Sequence, residues 1–421
     1  MSNITQNPLP NFSTLFKSIF VRNLDSKIIC QPWKIRESDI ALCFSRSTFS
    51  ILFILRWYEK YTGQKKIAIW IPEYFCNEPI EFLKNYGYSF TFYKVNEDLS
   101  PNWSHCNKLS SKAPPDIFFI VHYFGKCNEV KAARKFCDSL KCLLVEDAAH
   151  VMVPYNDIGK YGDLTFYSQH KLFAIPDGSM LILRKKSKNI SSLSNQDPVK
   201  IFEDLYTLLP DKSPGIFKWL IKRILQKFLP DWLWLNNQNY DIYHSEQKIK
   251  FLPHQTTFSK KLLYSQINNI DEYRFKRSIN QNAIKFQLTN IDDDYVPYMA
   301  HIDVSNNEKR TDYSKINGAP FTTWPELPDE IYNNSNKTSN AILFKNNNIF
   351  MPIHQSLRFK EIVKIKKFLN NKILDANPKY NIIEFEEDNN LKWNSFFLNL
   401  SFSNYLQSWV YGNAKKDVEK W

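Results

Sequence analysis

The stretch CLLVEDAAHVMVPYNDIGKYGDLTFYSQHKLFAIPDGSMLIL, residues 142–183, decides the fold class. It contains three short apolar runs, and the first of them ends in the acidic pair Glu146 and Asp147. Because open α/β sheets bind ligands at the carboxyl ends of their strands, the pattern predicts Asp147 at a ligand-binding edge. Lys171 follows the second apolar run, 24 residues further along the chain. A lysine amine can bond covalently to an aldehyde cofactor, and a carboxylate can keep a pyridine nitrogen protonated.

The same alternation of apolar runs and polar helical stretches extends upstream of this segment. Six strands are predicted, at residues 66–71, 89–94, 116–122, 141–146, 163–168 and 179–183. Helices are predicted at 49–61, 77–86 and 128–140, the first of them opened by the capping residues at 45–48. Strands that alternate with helices need crossover connections. The first ~185 residues therefore predict an α/β domain with a mostly parallel sheet, after an irregular start to about Ile40.

The rest of the chain predicts a helical region followed by a smaller domain. Residues 185–250 hold long amphipathic stretches, 258–287 have helical periodicity, and 356–369 predict another helix. Strands are predicted at 296–304, 341–344, 349–353 and 381–386. We expect an N-terminal segment at 1–40, a large domain at 41–255 with a basic amphipathic insertion at about 196–250, a smaller C-terminal α/β domain at 256–390, and a tail at 391–421.

Composition and charge exclude several classes of protein. The 421 residues are 43% hydrophobic and include nine glycines, which excludes repeat fibres and disordered linkers. The net charge of +12 is concentrated in the middle of the chain, without a zinc-knuckle or helix-turn-helix signature, so no nucleic-acid partner is expected. All seven cysteines lie in the first third, without a C-x-x-C pair, which predicts a reduced, cytoplasmic protein. No apolar run approaches the ~18 residues that span a bilayer, and no metal site is predicted.

At this point the sequence resembles a known family, the DegT/DnrJ/EryC1/StrS sugar aminotransferases, a group of the fold-type-I pyridoxal phosphate enzymes. The resemblance is carried by Glu146–Asp147–Ala148–Ala149–His150, Gly159, Gly162–Asp163, Phe166–Tyr167–Ser168 and Lys171, with weaker likeness at 72–75, 122–125 and 351–354. It covers most of residues 40–370. The Ser-x-His-Lys form at 168–171 also resembles the lysine motif of cysteine desulfurases, which supports the fold. The implied fold is that of the aspartate aminotransferase-like transferases.

The resemblance implies a role for each site residue, with pyridoxal 5'-phosphate as cofactor. Lys171 would bond to the cofactor and shuttle a proton, and Asp147 would pair with the pyridine nitrogen. His150 would contact the phenolic oxygen, and Ser168 the phosphate. Tyr74 or Phe75, with Phe75 preferred, would stack on the ring.

The phosphate would also lie at the start of the helix at Ser47 and Thr48, because free N–H groups and the helix dipole suit an anion. Every one of these assignments has a structural alternative. Asp147 could cap a helix, Lys171 could be a solvated surface lysine, and the serine and threonine could be ordinary caps. His150 and His170 could be interior histidines, and His122 could belong to the pocket wall or a turn.

The implied reaction is transfer of an amino group from an amino acid, favoured as glutamate, to a keto sugar or related surface-polysaccharide precursor, by a homodimer. Two departures leave the acceptor open. The family's Gly-Glu-Gly-Gly stretch is reduced to Asp177-Gly178-Ser179, and no Gly-x-Asn-x-Arg precedes Phe258. The alternatives are a pyridoxal phosphate lyase or decarboxylase using the same Lys171 and Asp147, and a non-catalytic ligand-binding paralogue or scaffold.

Two further segments suggest partners. Residues 216–229 place apolar side chains at helical spacing, namely Ile216, Phe217, Leu220, Ile224 and Phe228. The predicted opposite face is polar and basic, with Lys218, Lys222, Arg223, Gln226 and Lys227. Such a helix can lie on the inner face of an anionic membrane, or it can pack on its own domain or on a dimer partner. The tail at 393–395 and 404–409 resembles the opening of FemAB-like N-acyltransferases, which suggests a fused or adjacent acyltransferase, or else forms a simple helix.

Overall fold

The computed structural model describes residues 4–21, 24, 26–228, 249–285, 296–304, 321–324, 326–334 and 339–372. Its strands are β1 (Ile40–Phe44), β2 (Ile69–Pro72), β3 (Phe90–Tyr93), β4 (Ile117–Val121), β5 (Leu143–Ala148), β6 (Leu164–Tyr167), β7 (Ser179–Leu183), β8 (Met299–Asp303) and β9 (Asn348–Pro352). Its helices are α1 (Phe12–Phe20), α2 (Ser26–Cys30), α3 (Ser47–Thr62), α4 (Asn77–Lys84), α5 (Trp103–Ser110), α6 (Val130–Leu140), α7 (Gln169–Leu172), α8 (Lys188–Leu193), α9 (Pro198–Thr207), α10 (Phe217–Phe228), α11 (Thr257–Tyr264), α12 (Ile270–Lys285), α13 (Asp329–Asn334), α14 (Asn340–Asn347) and α15 (Phe359–Lys372). Short 3₁₀ turns lie at Gln31–Trp33, Tyr123–Gly125 and Ile267–Asn269.

The large sheet has seven strands in the order β1-β7-β6-β5-β4-β2-β3. β7 runs antiparallel to both of its neighbours, and the other paired strands are parallel. Every residue of β2, β4, β5, β6 and β7 is buried. In the sequence, parallel strands that are covered on both faces appear as continuous apolar runs rather than as alternating apolar and polar residues. This confirms the predicted mostly parallel α/β domain.

The six predicted strands of this domain are confirmed, each displaced by at most a few residues, as are the helices α3, α4 and α6. The first 40 residues differ from the prediction of an irregular start, because α1 and α2 form there. Asn11 supplies the N-cap of α1, since its side chain accepts the N–H of Thr14. The helix α5 was not predicted either; it opens with the same kind of cap, at Asn102.

The smaller sheet pairs β8 with β9 in antiparallel register. The prediction of a strand at 341–344 is wrong, because those residues lie inside α14. The Oγ atom of Ser339 accepts the N–H of Ile342 and so caps that helix. The helical stretch predicted at 258–287 is divided into α11 and α12 by the turn at Ile267–Asn269, and α15 confirms the helix predicted at 356–369. The strand predicted at 381–386 and the tail at 391–421 lie outside the described residues.

Helix α3 is the most deeply buried helix of the large domain. Its aromatic residues pack on the sheet and on α9; Trp57, for example, donates its indole N–H to the carbonyl of Pro198 at 3.0 Å. The helix ends at Gly63, whose φ of 75° is the left-handed conformation that glycine adopts without strain. At the other end, the carbonyl of Ser45 accepts the N–H of Gly178 at 2.8 Å. The start of α3 is thereby held against the loop between α7 and β7.

Candidate active site

Two adjacent acids at the end of β5 have different surroundings, and the first of them, Glu146, serves the structure. Its carboxylate accepts the N–H groups of Gly159, Tyr161 and Gly162, and it pairs with Nε2 of His122 at 2.9 Å. Burial alone would raise the pKa of Glu146, but these hydrogen bonds lower it below its ordinary value. The glycine at 162 is required, because a Cβ there would lie 2.8 Å from the Cγ atom of Glu146.

Asp147 is the acid that remains open to a ligand. Its Oδ1 atom accepts the N–H of Ala149 at 2.9 Å, and within the described residues its Oδ2 atom takes no hydrogen bond. Burial raises the pKa of Asp147 to about 6, against the lowering effects of the Ala149 N–H and the Lys171 charge. Asp147 is therefore a buried acid near the carboxyl end of β5, where the sequence predicted a ligand-binding edge.

Lys171 lies in α7, directly after β6, and its amine faces His150. The Nζ atom is 3.2 Å from Nε2 of His150 and 5.9 Å from the ring centroid of Tyr298. Nδ1 of His150 accepts the N–H of Phe124 at 3.3 Å. Burial and the Lys171 charge hold the pKa of His150 well below its ordinary value, so the ring is neutral. With Nδ1 accepting, its single proton lies on Nε2 and points at the amine.

Aromatic side chains from both sheets surround this contact. The ring of His150 stacks on Tyr298 at 4.5 Å between centroids, and Phe124 lies nearly parallel to it at 5.9 Å. Trp324 meets His150 edge-on at 5.4 Å and stacks on Tyr74 at 4.7 Å. The wall of the site thus combines two groups of residues. Tyr298 and Trp324 precede β8 and β9 in the chain, whereas Tyr74, Phe124 and His150 follow β2, β4 and β5.

The predicted phosphate-binding residues lie around the start of α3. Arg46 occupies the N-cap position and makes no side-chain cap bond, so Ser47 and Thr48 are the first helical residues. Nδ1 of His170 lies 3.0 Å from the carbonyl of Gly178 and 3.4 Å from the hydroxyl of Ser168. Burial lowers the pKa of His170 to about 4, and the charge of Arg46 acts in the same direction. A helix N-terminus and a cation therefore lie beside the lysine-bearing turn.

Other residues were placed differently from the sequence prediction, or were not predicted at all. Phe75 and Tyr74 are both buried, and Tyr74 is engaged with Trp324. Cys76 lies close enough to Lys171 and Asp147 for their charges to act on it, while burial raises the pKa of its thiol to about 12. Cys76, Tyr298 and Trp324 carry no motif, and only the folded chain brings them to the lysine.

Only some of the side chains on the two faces predicted for α10 are described. Phe217 is exposed, whereas Trp219, Leu220 and Arg223 are partly buried, and the Arg223 guanidinium lies 5.7 Å from the Trp219 ring. Burial lowers the pKa of Arg223 to about 10. Among the described side chains of this helix, Trp219 packs on the core. Residues 229–248 lie outside the described part of the chain.

One part of the chain is similar to a known family of proteins. Residues 112–196, which include β4 to β7, match the sequence model of the DegT/DnrJ/EryC1/StrS aminotransferase family. Over these residues the chain is similar to that family. The matched region contains Asp147, His150, Ser168 and Lys171. No curated protein matches the sequence.

Solved structures extend the likeness in fold to most of the chain. The putative sugar aminotransferase Spr1654 from Streptococcus pneumoniae, in its PLP form, superimposes with a TM-score of 0.61 at 13% identity, over 87% of this chain and 97% of its own. Helicobacter pylori PseC, an aminotransferase involved in pseudoaminic acid biosynthesis, gives 0.59 at 14% identity, over 87% and 98%. NtdA from Bacillus subtilis, with bound cofactor PMP, gives 0.58 at 12% identity, over 88% and 85%. These likenesses establish the shared fold.

Proposed function

We propose that this protein is an aminotransferase, which uses pyridoxal 5'-phosphate to transfer an amino group from an amino acid, glutamate first among the candidates, to a keto sugar or a related surface-polysaccharide precursor. The family match supports amino transfer, and the PLP and PMP forms of its structural relatives support the cofactor. The relatives that are sugar aminotransferases by name support a sugar acceptor. The observation that carries the proposal is the Lys171 amine, which faces neutral His150 close to the buried acid Asp147.

The residues present fit this cofactor. Asp147 offers an unbonded oxygen to the pyridine nitrogen, and Lys171 offers a primary amine to the aldehyde. The first amides of α3 have no partner within their own helix, as in every helix, and they suit a phosphate. The aromatic wall supplies flat surfaces, and Cys76 supplies a small neutral thiol beside Lys171 and Asp147. Ser168 is fully buried, so its hydroxyl would act on the phosphate chiefly by orienting His170.

The bound cofactor supplies an electron sink for the bonds at the substrate's α-carbon. The residues of this chain do the rest. Asp147 would hold a proton on the pyridine nitrogen. The Nζ atom of Lys171 would carry a proton between substrate positions. His150 keeps Nζ oriented through its Nε2–H group, and the stacked rings of Tyr298 and Phe124 keep His150 in place and exclude water.

Two assembly features belong to the same proposal. A homodimer is supported by the resemblance to a family whose site is built from two chains, and light scattering of the purified protein tests it. An acyltransferase partner, fused or adjacent, would act on the newly formed amine. That idea rests on the sequence of the tail, which lies outside the described residues.

The test of this function is a half-reaction followed by absorbance. The cofactor-loaded protein should lose its visible band on addition of glutamate and release 2-oxoglutarate in equal amount. Lys171→Ala should show neither change, and borohydride reduction followed by peptide mapping should label Lys171 in the wild type. Lys185→Ala, an exposed lysine just after β7, serves as the matched control and should behave as wild type. Release of carbon dioxide instead of an oxo acid would indicate a decarboxylase, and a label on another lysine would refute the assignment.

A further inference from the structure

The helix α10 exposes large apolar side chains along one line. Phe217, Ile221 and Leu225 are 73%, 40% and 37% exposed, and residues four apart lie on the same face of a helix. The opposite side of α10 is anchored by Trp219, which packs on the buried cluster that includes Leu262. The outward face of α10 therefore carries more apolar surface than an ordinary solvated face.

The helix α1 also exposes large apolar side chains. Its side chains Phe16, Ile19 and Phe20 are 62–69% exposed, whereas Thr14 and Ser18 are buried. Leu15 of α1 packs on the same buried cluster as Trp219 of α10. A helix in water normally hides its apolar residues and exposes its polar ones. Two helices on one cluster that both expose large apolar side chains indicate an outer surface with an apolar environment of its own.

The charges on these two faces have one sign. Lys17 on α1 and Lys218 and Lys222 on α10 are exposed. Neither helix contains an aspartate or glutamate, and none occurs between Lys212 and Pro230. A contact between identical faces of two copies would bring these lysines together without a counter-charge, which opposes pairing. An anionic lipid surface supplies that counter-charge together with an apolar layer for the exposed rings.

We propose that the outward faces of α1 and α10 bind the surface of an anionic lipid bilayer. The phenylalanine and aliphatic side chains enter the boundary between headgroups and acyl chains, and the three lysines contact the anionic headgroups. The contact is peripheral: within the described ranges, every helix is too short or too polar to cross a bilayer. The proposal is independent of the transamination chemistry, because neither helix contributes a side chain to the aromatic wall or to the lysine.

Vesicle co-sedimentation of the full-length, cofactor-loaded protein tests this surface. Wild type should bind phosphatidylcholine vesicles that contain phosphatidylserine, lose that binding as salt is raised, and ignore phosphatidylcholine alone. Lys218→Gln with Lys222→Gln should weaken binding about 30-fold, at about 1 kcal/mol per cation near the surface. Phe217→Ser with Ile221→Ser should weaken it at least as much, because the apolar contribution is lost. The glutamate half-reaction should be unchanged in both variants.

The matched control is Lys108→Gln with Lys112→Gln, a pair with the same spacing, exposed at the end of α5, which packs with the other core cluster. It should bind within about twofold of wild type if location rather than net charge matters. The proposal is overturned if wild type stays in solution at low salt, or if the control pair loses binding equally. It is also overturned if the Phe217 and Ile221 changes dissociate the protein into monomers without affecting lipid binding, which would make the face a subunit contact.

Discussion

Nζ of Lys171 and Nε2 of His150 lie 3.2 Å apart, and the proton of the neutral imidazole lies between them. That proton is placed there by the backbone N–H of Phe124, which occupies the other ring nitrogen. The 3.2 Å contact fixes the position of the amine relative to the ring. The contact therefore orients the amine that would react with an aldehyde.

Replacement of His150 tests this relationship directly. His150→Phe keeps an aromatic ring against Tyr298 but removes the donor, and we expect roughly 100-fold slower formation of the cofactor–lysine bond. His150→Gln, which keeps an N–H within reach of Nζ, should recover most of that rate. Stopped-flow absorbance after mixing with pyridoxal phosphate measures both variants. Equal rates in the two would mean that the ring's stacking matters and its proton does not.

For Asp147→Asn we expect retained folding and a turnover lower by roughly 10²–10⁴, since a neutral amide cannot hold the pyridine nitrogen protonated. The wild-type carboxyl has a pKa of about 6 in the cofactor-free protein. Its affinity for the cofactor should therefore fall as the pH drops below about 6, where the carboxyl carries its own proton. The variant should lack this pH dependence, as measured by fluorescence titration. Asp138→Asn, on the exposed end of α6, is the control and should follow the wild-type curve.

Glu146→Gln should reduce the free energy of unfolding by about 1.5–3 kcal/mol, because it weakens the buried hydrogen bond between the Glu146 carboxylate and Nε2 of His122. It also weakens the acceptor for three backbone N–H groups of the loop before β6. Glu81→Gln, which removes the exposed pair with Lys84, should cost less than about 1 kcal/mol. Urea unfolding measures both. If the two variants proved equally stable, the carboxylate of Glu146 would not be the group that holds this loop.

Arg277 holds the lysine-bearing turn to the segment before β8. Its guanidinium donates to the carbonyls of Leu172, Pro297 and Tyr298, at 3.2, 3.3 and 3.1 Å, and to the side chain of Gln355 at 2.9 Å. A lysine ammonium cannot reach so many acceptors at once, so Arg277→Lys should destabilise the protein by about 2–4 kcal/mol. Hydrogen exchange should quicken at residues 298–299. Unchanged protection there would show that the arginine does not hold this segment.

The stability of the protein should also fall in acid because of buried neutral histidines. Burial lowers the pKa of His354 from 6.5 to about 3, and its Nε2–H donates to the carbonyl of Thr5 at 2.8 Å. The unfolded chain therefore binds a proton below about pH 6.5 that the folded chain does not bind. Stability should decrease by about 1.4 kcal/mol per pH unit for this group as the pH falls from about 6 towards 4. His354→Asn should lower that slope in urea titrations, and an unchanged slope would assign the effect to other histidines.

The sequence alone predicted the large sheet well, since strands such as β4 and β5 are buried on both faces and appear as unbroken apolar runs. It also placed Asp147 at the end of one strand and Lys171 after the next, and the structure has them in β5 and in α7, directly after β6. It mistook residues 341–344 for a strand because four apolar or aromatic residues in a row fit either element, and the cap at Ser339 decides for the helix.

The remaining parts of the site depend on distant segments. Tyr298 and Trp324 reach His150 only after β8 and β9 pack against the large domain, and no local pattern distinguishes them from other aromatic residues. The orientation of α10 depends on distant segments in the same way. Helical periodicity groups the side chains of a helix, but the packing of Trp219 determines which group faces the core.

The pairing of β1 with β7 has a consequence for the time course of synthesis. Within the sheet, β1 at residues 40–44 is bonded to β7 at residues 179–183. A ribosome adding about 5–20 residues per second needs roughly 7–30 seconds to make the intervening chain. During that interval β2 to β6 can pair with one another, while the apolar stretch IALCF has no strand beside it. The nascent chain thus presents an unpaired apolar edge of the kind that recruits foreign strands, and translation speed sets how long chaperones must cover it.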